Sequence, residues 1–206
     1  MTAVNNESPY KGSGQITREQ FLFHEMRTTA KLMCEGLSDK KIIDRIVEEN
    51  LFQYPTEKSI RQMAIDCVER LNCLGDKALV AAVASSSSET AKQICLYAMM
   101  KQYRLVWDFM LTVIGEKYRM QDFSFGKKDI NIFFLQLQEQ DDYVAGWSEK
   151  TIKKIRQVLI KMLVDNDYLD DTKSSRINPV LLNPVLENAI KSNNDDRALP
   201  AFNCFA

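Results

Sequence analysis

Residues 148–165 read SEKTIKKIRQVLIKMLVD, and this stretch decides the fold class. Ser148 is a hydroxyl N-cap with Glu149 in the first turn behind it, the arrangement that satisfies free N–H groups at a helix start. At about 100° per residue, Ile152, Ile155, Leu159, Met162 and Leu163 form one apolar stripe. Lys150, Lys153, Lys154, Gln157 and Lys161 gather on the opposite face, with Arg156 at its flank. No acidic residue occurs from Lys150 to Val164. Exposed helices usually mix signs and gain i,i+4 pairs; here like charges stand together and repel. A polyanion would relieve that repulsion, because each neutralised phosphate also releases a counterion. A solvated lysine face with no ligand is the plain alternative.

Working outward, Asp129 to Gln138 carries Ile130, Ile132, Phe133, Phe134 and Leu135 and reads as a short supporting helix. After Asp165, the stretch DNDYLDDTKSSRINPVLLNP sets turn residues around short apolar pairs, as a hairpin or an irregular wing over 165–182 would. A helix, a turn, a basic helix and a wing make a helix-turn-helix or winged-helix module, although the connection between the two helices exceeds the usual three or four residues. Asn183 and Pro184 open a last helix. The tail after Ser192 reads as mobile.

Toward the N-terminus the same rules place helices one after another. Residues 1–14 form a loose arm. Thr17 and Gln20 make a capping-box pattern ahead of Phe21, Met26, Ala30 and Met33, and Gly36 stops that helix. Ser38 caps a second helix with Ile42, Ile43, Ile46 and Val47, and Lys40 and Lys41 near its start. Pro55 and Thr56 open a third, which Gly75 closes. Asp76 caps a short fourth, and Ser86 with Glu89 forms a box for the next. Residues 89–118 hold one or two buried helices, rich in Leu105, Val106, Phe109, Val113 and Ile114, at the centre of the core. The opening Thr56-Glu57-Lys58-Ser59-Ile60-Arg61 is echoed by Ser148-Glu149-Lys150-Thr151-Ile152-Lys153. Either two related modules each offer a basic first turn, or both obey the same capping rules.

The chain has 206 residues, 45% of them apolar and 27% charged, with a formal net charge of -1. Those values suit a globular core, and any basic surface must be local. Five cysteines, none spaced as C-x-x-C, read as free thiols of a reducing cytosol. With His24 as the only histidine, a zinc site has no ligand set, and no cofactor is expected. No phosphate-cradling glycine loop and no G-x-S-x-G occur. The pairs Asp141-Asp142 and Asp170-Asp171 lie in turn-like sequence and read as solvated caps. The longest apolar run, Ala78 to Ala84, is far short of the roughly 20 residues a spanning helix needs. No membrane contact is therefore expected, and the chain reads as cytoplasmic.

The block Tyr103-Arg104-Leu105, Phe109, Val113, Glu116-Lys117-Tyr118, followed by Phe133-Phe134 and Ser148-x-x-Thr151-x-x-Lys154-x-x-Gln157, resembles the BrxA family of BREX bacteriophage-exclusion systems. The likeness continues through Leu159, Met162-Leu163, Leu169, Ile177, Pro179, Leu182 and Pro184. Ile42 to Leu74, with Glu49-Asn50-Leu51 and Arg70-Leu71, fits the family's N-terminal half, so that roughly residues 16–190 are covered. The Ser85–Ser88 run departs from the pattern and bears only on a turn. The motifs are packing patterns rather than catalytic signatures. The resemblance implies a non-enzymatic, all-helical component of a defence system, with double-stranded DNA binding as an associated activity and no catalytic residues to carry over.

The expectation is an all-α, compact helical bundle of two small lobes with a C-terminal helix-turn-helix or winged-helix-like module. Its divisions are an arm over 1–14, an N-terminal lobe over 15–84, a C-terminal lobe with the basic helix over 85–192, and a tail over 193–206. Lys150, Lys153, Lys154, Arg156 and Lys161 would meet phosphates of double-stranded DNA, and Thr151 and Gln157 would reach sugar or base edges. Lys58 and Arg61 are secondary candidates. The alternative is an adaptor that docks other BREX-system proteins and binds no DNA, with Phe202 to Phe205 as a docking peptide.

Overall fold

The computed structural model describes residues 7–12, 16–17 and 20–205. The chain is all-α. In order, the helices are α1 (Phe23–Cys34), α2 (Asp39–Glu48), α3 (Glu57–Cys73), α4 (Lys77–Ser85), α5 (Ser88–Gln102), α6 (Arg104–Phe109), α7 (Glu116–Arg119), α8 (Lys127–Gln140), α9 (Asp142–Ala145), α10 (Glu149–Asp165) and α11 (Pro184–Ser192). A π-helical segment, Met110–Gly115, joins α6 to α7, and a 3₁₀ segment, Asp196–Phe202, follows α11. One cluster of buried apolar side chains runs from Tyr10 to Phe202. Within it, α5 packs on α3, α4 and α6.

Most starts fall where a side chain can accept from free N–H groups. Thr56 accepts from Ser59 N–H, Asp76 from Ala78, Ser148 from Thr151 and Asn183 from Val185. Gly36 and Gly75 take φ of 78° and 66° just beyond α1 and α3, a left-handed turn that glycine adopts without strain. The α5 cap is Ser87 rather than Ser86: its hydroxyl accepts from Thr90 N–H at 3.3 Å.

Three further expectations need correction. The Thr17–Gln20 box does not open α1, which begins at Phe23 behind a left-handed Leu22 with φ 52°. The fully buried Arg70 of α3 donates to the carbonyls of Gln20 (2.8 Å) and Phe21 (3.4 Å). A tertiary donor thus occupies acceptors that a longer helix would have used. Second, residues 7–12 of the expected loose arm are held: Tyr10 is buried and its hydroxyl donates to Asp108 at 2.8 Å, while Ser8 donates to Asp141 at 3.0 Å. Residues 1–6 and 13–14 of that arm lie outside the described residues.

Third, the tail is packed. Ala198, Leu199, Ala201 and Phe202 are buried, which also removes Phe202 from any free docking peptide. Gly115 makes this fit, since a Cβ there would stand 3.2 Å from the Pro200 Cβ and 3.3 Å from the Ala201 nitrogen. Lys101 pairs with Asp195 at 2.7 Å, Tyr97 donates to the same carboxylate, and Tyr168 donates to the Ala201 carbonyl at 2.9 Å.

Among the described residues the β structure is a single antiparallel bridge, Ser124 to Arg176. Phe125 N–H donates to Ser175 (2.9 Å) and Ile177 N–H to Phe123 (2.8 Å), so the strip before α8 pairs with the strip after α10. Asn178 N–H donates back to the Tyr168 carbonyl at 2.8 Å, and this folds residues 168–178 into a hairpin-like loop. Among the described residues no helix is long and apolar enough to cross a membrane.

Candidate nucleic-acid interface

The α10 helix displays its cations because its other face is committed to the core. Ile152, Ile155, Val158, Leu159, Met162 and Leu163 are buried, so helical geometry turns Lys150, Lys153, Lys154, Gln157 and Lys161 outward. All five are exposed. Lys150, Lys153 and Lys154 form no ion pair among the described residues, whereas Lys161 is paired with Asp165 one turn on. The ridge therefore holds three unneutralised ammonium groups in its first half and a neutralised one near its end.

The remaining sequence candidates divide. Thr151 is tied into the cap, its hydroxyl 2.9 Å from that of Ser148. Arg156 is half-buried, with its guanidinium 5.4 Å from the centre of the Phe134 ring. The Arg156 Nε is buried without a hydrogen-bond partner among the described residues. On α3, Arg61 is paired with Asp44 at 3.1 Å, and Lys58 is exposed in the first turn.

Two grooves flank α10. The first lies between α8 and α10 and encloses about 670 Å³. Ile130, Trp147, Ile152 and Ile160 line it, with the cations Lys127, Lys153 and Arg156 and the carboxamides Asn131, Gln138 and Gln157. Glu149 is the one carboxylate among these lining residues. The second encloses about 640 Å³, and His24, Glu25, Tyr54, Lys92, Lys161 and Asp165 are among its walls. Its charges are largely spent, Lys161 on Asp165 and Lys92 on Asp167. The structure thus brings Lys153, Arg156 and Gln157 together in one groove and leaves Lys58 and Arg61 outside both. Sequence reading missed Lys127, Asn131, Gln138 and Trp147. The visible signal was Lys127-Lys128 beside Gly126, at a helix start placed two residues too late.

The loop beyond α10 has the opposite charge at its tip. Asp167, Asp170 and Asp171 are exposed there, with Lys173 and Arg176 behind them. Asp170 accepts from the Asn178 side chain at 2.8 Å, and Asp171 from the Lys173 N–H at 2.6 Å. Nearby, hydrogen bonds from the Ser124 hydroxyl and backbone, together with Lys117, hold the Asp122 carboxyl down at about 2.

The Cys67 and Cys95 thiols are sealed in the core. Burial pushes the Cys67 thiol up to about 12 and drives Cys95 upward as well. Among the described residues no group of three or more His, Cys, Asp or Glu side chains is placed to hold a metal ion.

The family model that matches this chain is BrxA, over residues 9–194. A protein from Bacillus cereus described as "BREX protein BrxA" is 33% identical over 170 residues, 82% of this chain and 84% of the relative. A Paramagnetospirillum magneticum protein of the same description is 24% identical over 171 residues, 83% of this chain and 85% of its own length. The crystal structure of an uncharacterised protein from Magnetospirillum magneticum superposes with a TM-score of 0.77 at 22% identity. That match covers 92% of this chain and 96% of the other, and it shows the shared fold.

Proposed function

The chain belongs to the BrxA family, and from that premise we propose that it is a non-enzymatic accessory protein of a BREX phage-defence system that binds double-stranded DNA through α10. The observation that carries this reading is the ridge of Lys150, Lys153 and Lys154, three exposed ammonium groups without a carboxylate among the described residues. Lys150 and Lys154 stand one turn apart, and such a like-charge pair costs about 0.2–0.5 kcal/mol in a helix. Phosphates at the ridge would turn that cost into a gain, with a counterion released for each.

Gln157, exposed among these lysines, is the side chain suited to a sugar or a base edge. In this reading α8, α9, α10 and the loop over 168–178 act as a winged-helix-like unit. The acidic tip of the loop, Asp170-Asp171, keeps it away from phosphate, so the helix rather than the wing meets the duplex.

Fluorescence anisotropy with a labelled duplex at several salt concentrations tests the proposal. Micromolar binding with a log–log salt slope of about −3 or steeper is expected, since three phosphate contacts contribute about −0.9 each. Absence of binding at low salt would end the reading and favour an adaptor for other BREX proteins, for which the exposed neighbours Leu181 and Val185 offer an apolar contact.

A further inference from the structure

We propose that the groove between α8 and α10 takes a single unstacked nucleotide, its base on the apolar floor and its phosphate at Arg156, Lys153 and Lys127. The inference rests on the DNA-binding reading and adds a second mode of contact beside the ridge. Three features of the groove converge on it.

The first is charge. Arg156 is half-buried, touches the Phe134 ring, and has no carboxylate partner among the described residues. Its buried Nε lacks a hydrogen-bond partner among the described residues, and a partly desolvated guanidinium gains from an anion. With Lys127 and Lys153 on the same walls and Glu149 as the one lining acid, the groove has a net positive rim.

The second is its floor. Half-buried Trp147 and Ile160, backed by the buried Ile130 and Ile152, present aromatic and apolar surface, the kind on which any base can lie or stack. The third is the set of carboxamides, Asn131, Gln138 and Gln157. Each offers both a donor and an acceptor, as the edge of a base requires. A groove built only for an acidic peptide would gain from the cations but has no use for three amides. The volume, about 670 Å³, leaves room for a base with its sugar and phosphate.

A base reaches such a groove only after leaving its stack, which is cheapest where it is already unpaired. The test therefore compares a duplex carrying 2-aminopurine in a normal pair with the same duplex carrying it as a one-nucleotide bulge. The full chain should bind the bulged duplex about tenfold more tightly, with a change in 2-aminopurine fluorescence on binding. Asn131→Ala, at an exposed position of α8, and Trp147→Ala should each reduce that preference to below about twofold while leaving affinity for the intact duplex unchanged. Should Trp147→Ala fail to fold, Asn131→Ala alone decides.

Equal binding of the two duplexes with an unchanged 2-aminopurine signal would overturn the inference and leave ridge binding standing. Binding of neither duplex at low salt would overturn both. A labelled polyglutamate peptide is run in parallel. Peptide binding weakened by both substitutions, without any preference for the bulge, would overturn the nucleotide and assign the groove to an acidic protein segment.

Discussion

The α3 and α10 helices begin with the same local code and end with opposite surfaces. Each opens on a hydroxyl cap, Thr56 or Ser148, that accepts from the N–H three residues on and lies 2.9 Å from the hydroxyl there. Beyond the first turn the two diverge. On α3 the guanidinium groups are matched from within the protein: Arg61 by Asp44, and Arg70 by the carbonyls of Gln20 and Phe21. On α10, Lys150, Lys153 and Lys154 meet no carboxylate among the described residues. A capping motif sets where a helix starts, and tertiary neighbours decide whether its cations are spent on the fold or left for a ligand.

The largest effect should come from breaking the α3 side. Arg70→Met leaves the carbonyls of Gln20 and Phe21 and the buried Tyr103 hydroxyl without their donor and should cost about 3 kcal/mol, read as a lower urea midpoint. On the α10 side, Lys150→Glu with Lys154→Glu should change stability by less than about 0.5 kcal/mol. The same pair should lower duplex affinity by at least about tenfold and flatten the salt slope by about 2. Lys58→Glu on α3, in the anisotropy titration, should change neither by as much. Equal losses from both helices would mean that α3 shares the interface.

The helix limits in this comparison were readable from residues because their causes are local. Ser148 and the stripe from Ile152 to Leu163 place α10 at Glu149–Asp165 without tertiary help, and Thr56, Asp76 and Asn183 do the same elsewhere. The start of α1 was not readable, because Arg70, some fifty residues away in sequence, takes up the acceptors before it. The packed tail was hidden for a similar reason: Pro200 lies against Gly115 through a close approach that no periodicity announces. At the site, helical spacing groups Lys161 with the other outward lysines, but Asp165 at i+4, one residue past the acid-free stretch, neutralises it. The groove needed Lys127, Asn131 and Trp147 from outside α10, and helical spacing within one element cannot bring them in.

A smaller effect sharpens the claim that the two caps are equivalent. Thr56→Ala and Ser148→Ala should each cost about 1 kcal/mol in thermal or urea unfolding. The second should leave duplex affinity almost unchanged, because it shortens no lysine.

Lys101 supplies the contrast within one residue type, a lysine whose partner is built in. Burial raises the Asp195 carboxyl, but hydrogen bonds from Lys101 and Tyr97 outweigh it and the net shift is downward. A carboxyl held below its unfolded value stabilises the native state above that value and loses the contribution as pH falls through the folded one. The docked tail should therefore loosen below about pH 4, seen as a fall in Tm that Asp195→Asn makes shallower.

The bridge between Ser124 and Arg176 has a consequence for how the molecule opens. It fastens the chain entering α8 to the chain leaving α10, so the groove and the ridge lie on one closed loop. The entropy of closing that loop is lost when its ends meet, and the helices inside it are expected to open together. Amide protons of Phe125 and Ile177, which donate across that closure, should therefore exchange at matching rates. Any partner that grips α10 pulls on a unit whose two ends are already tied.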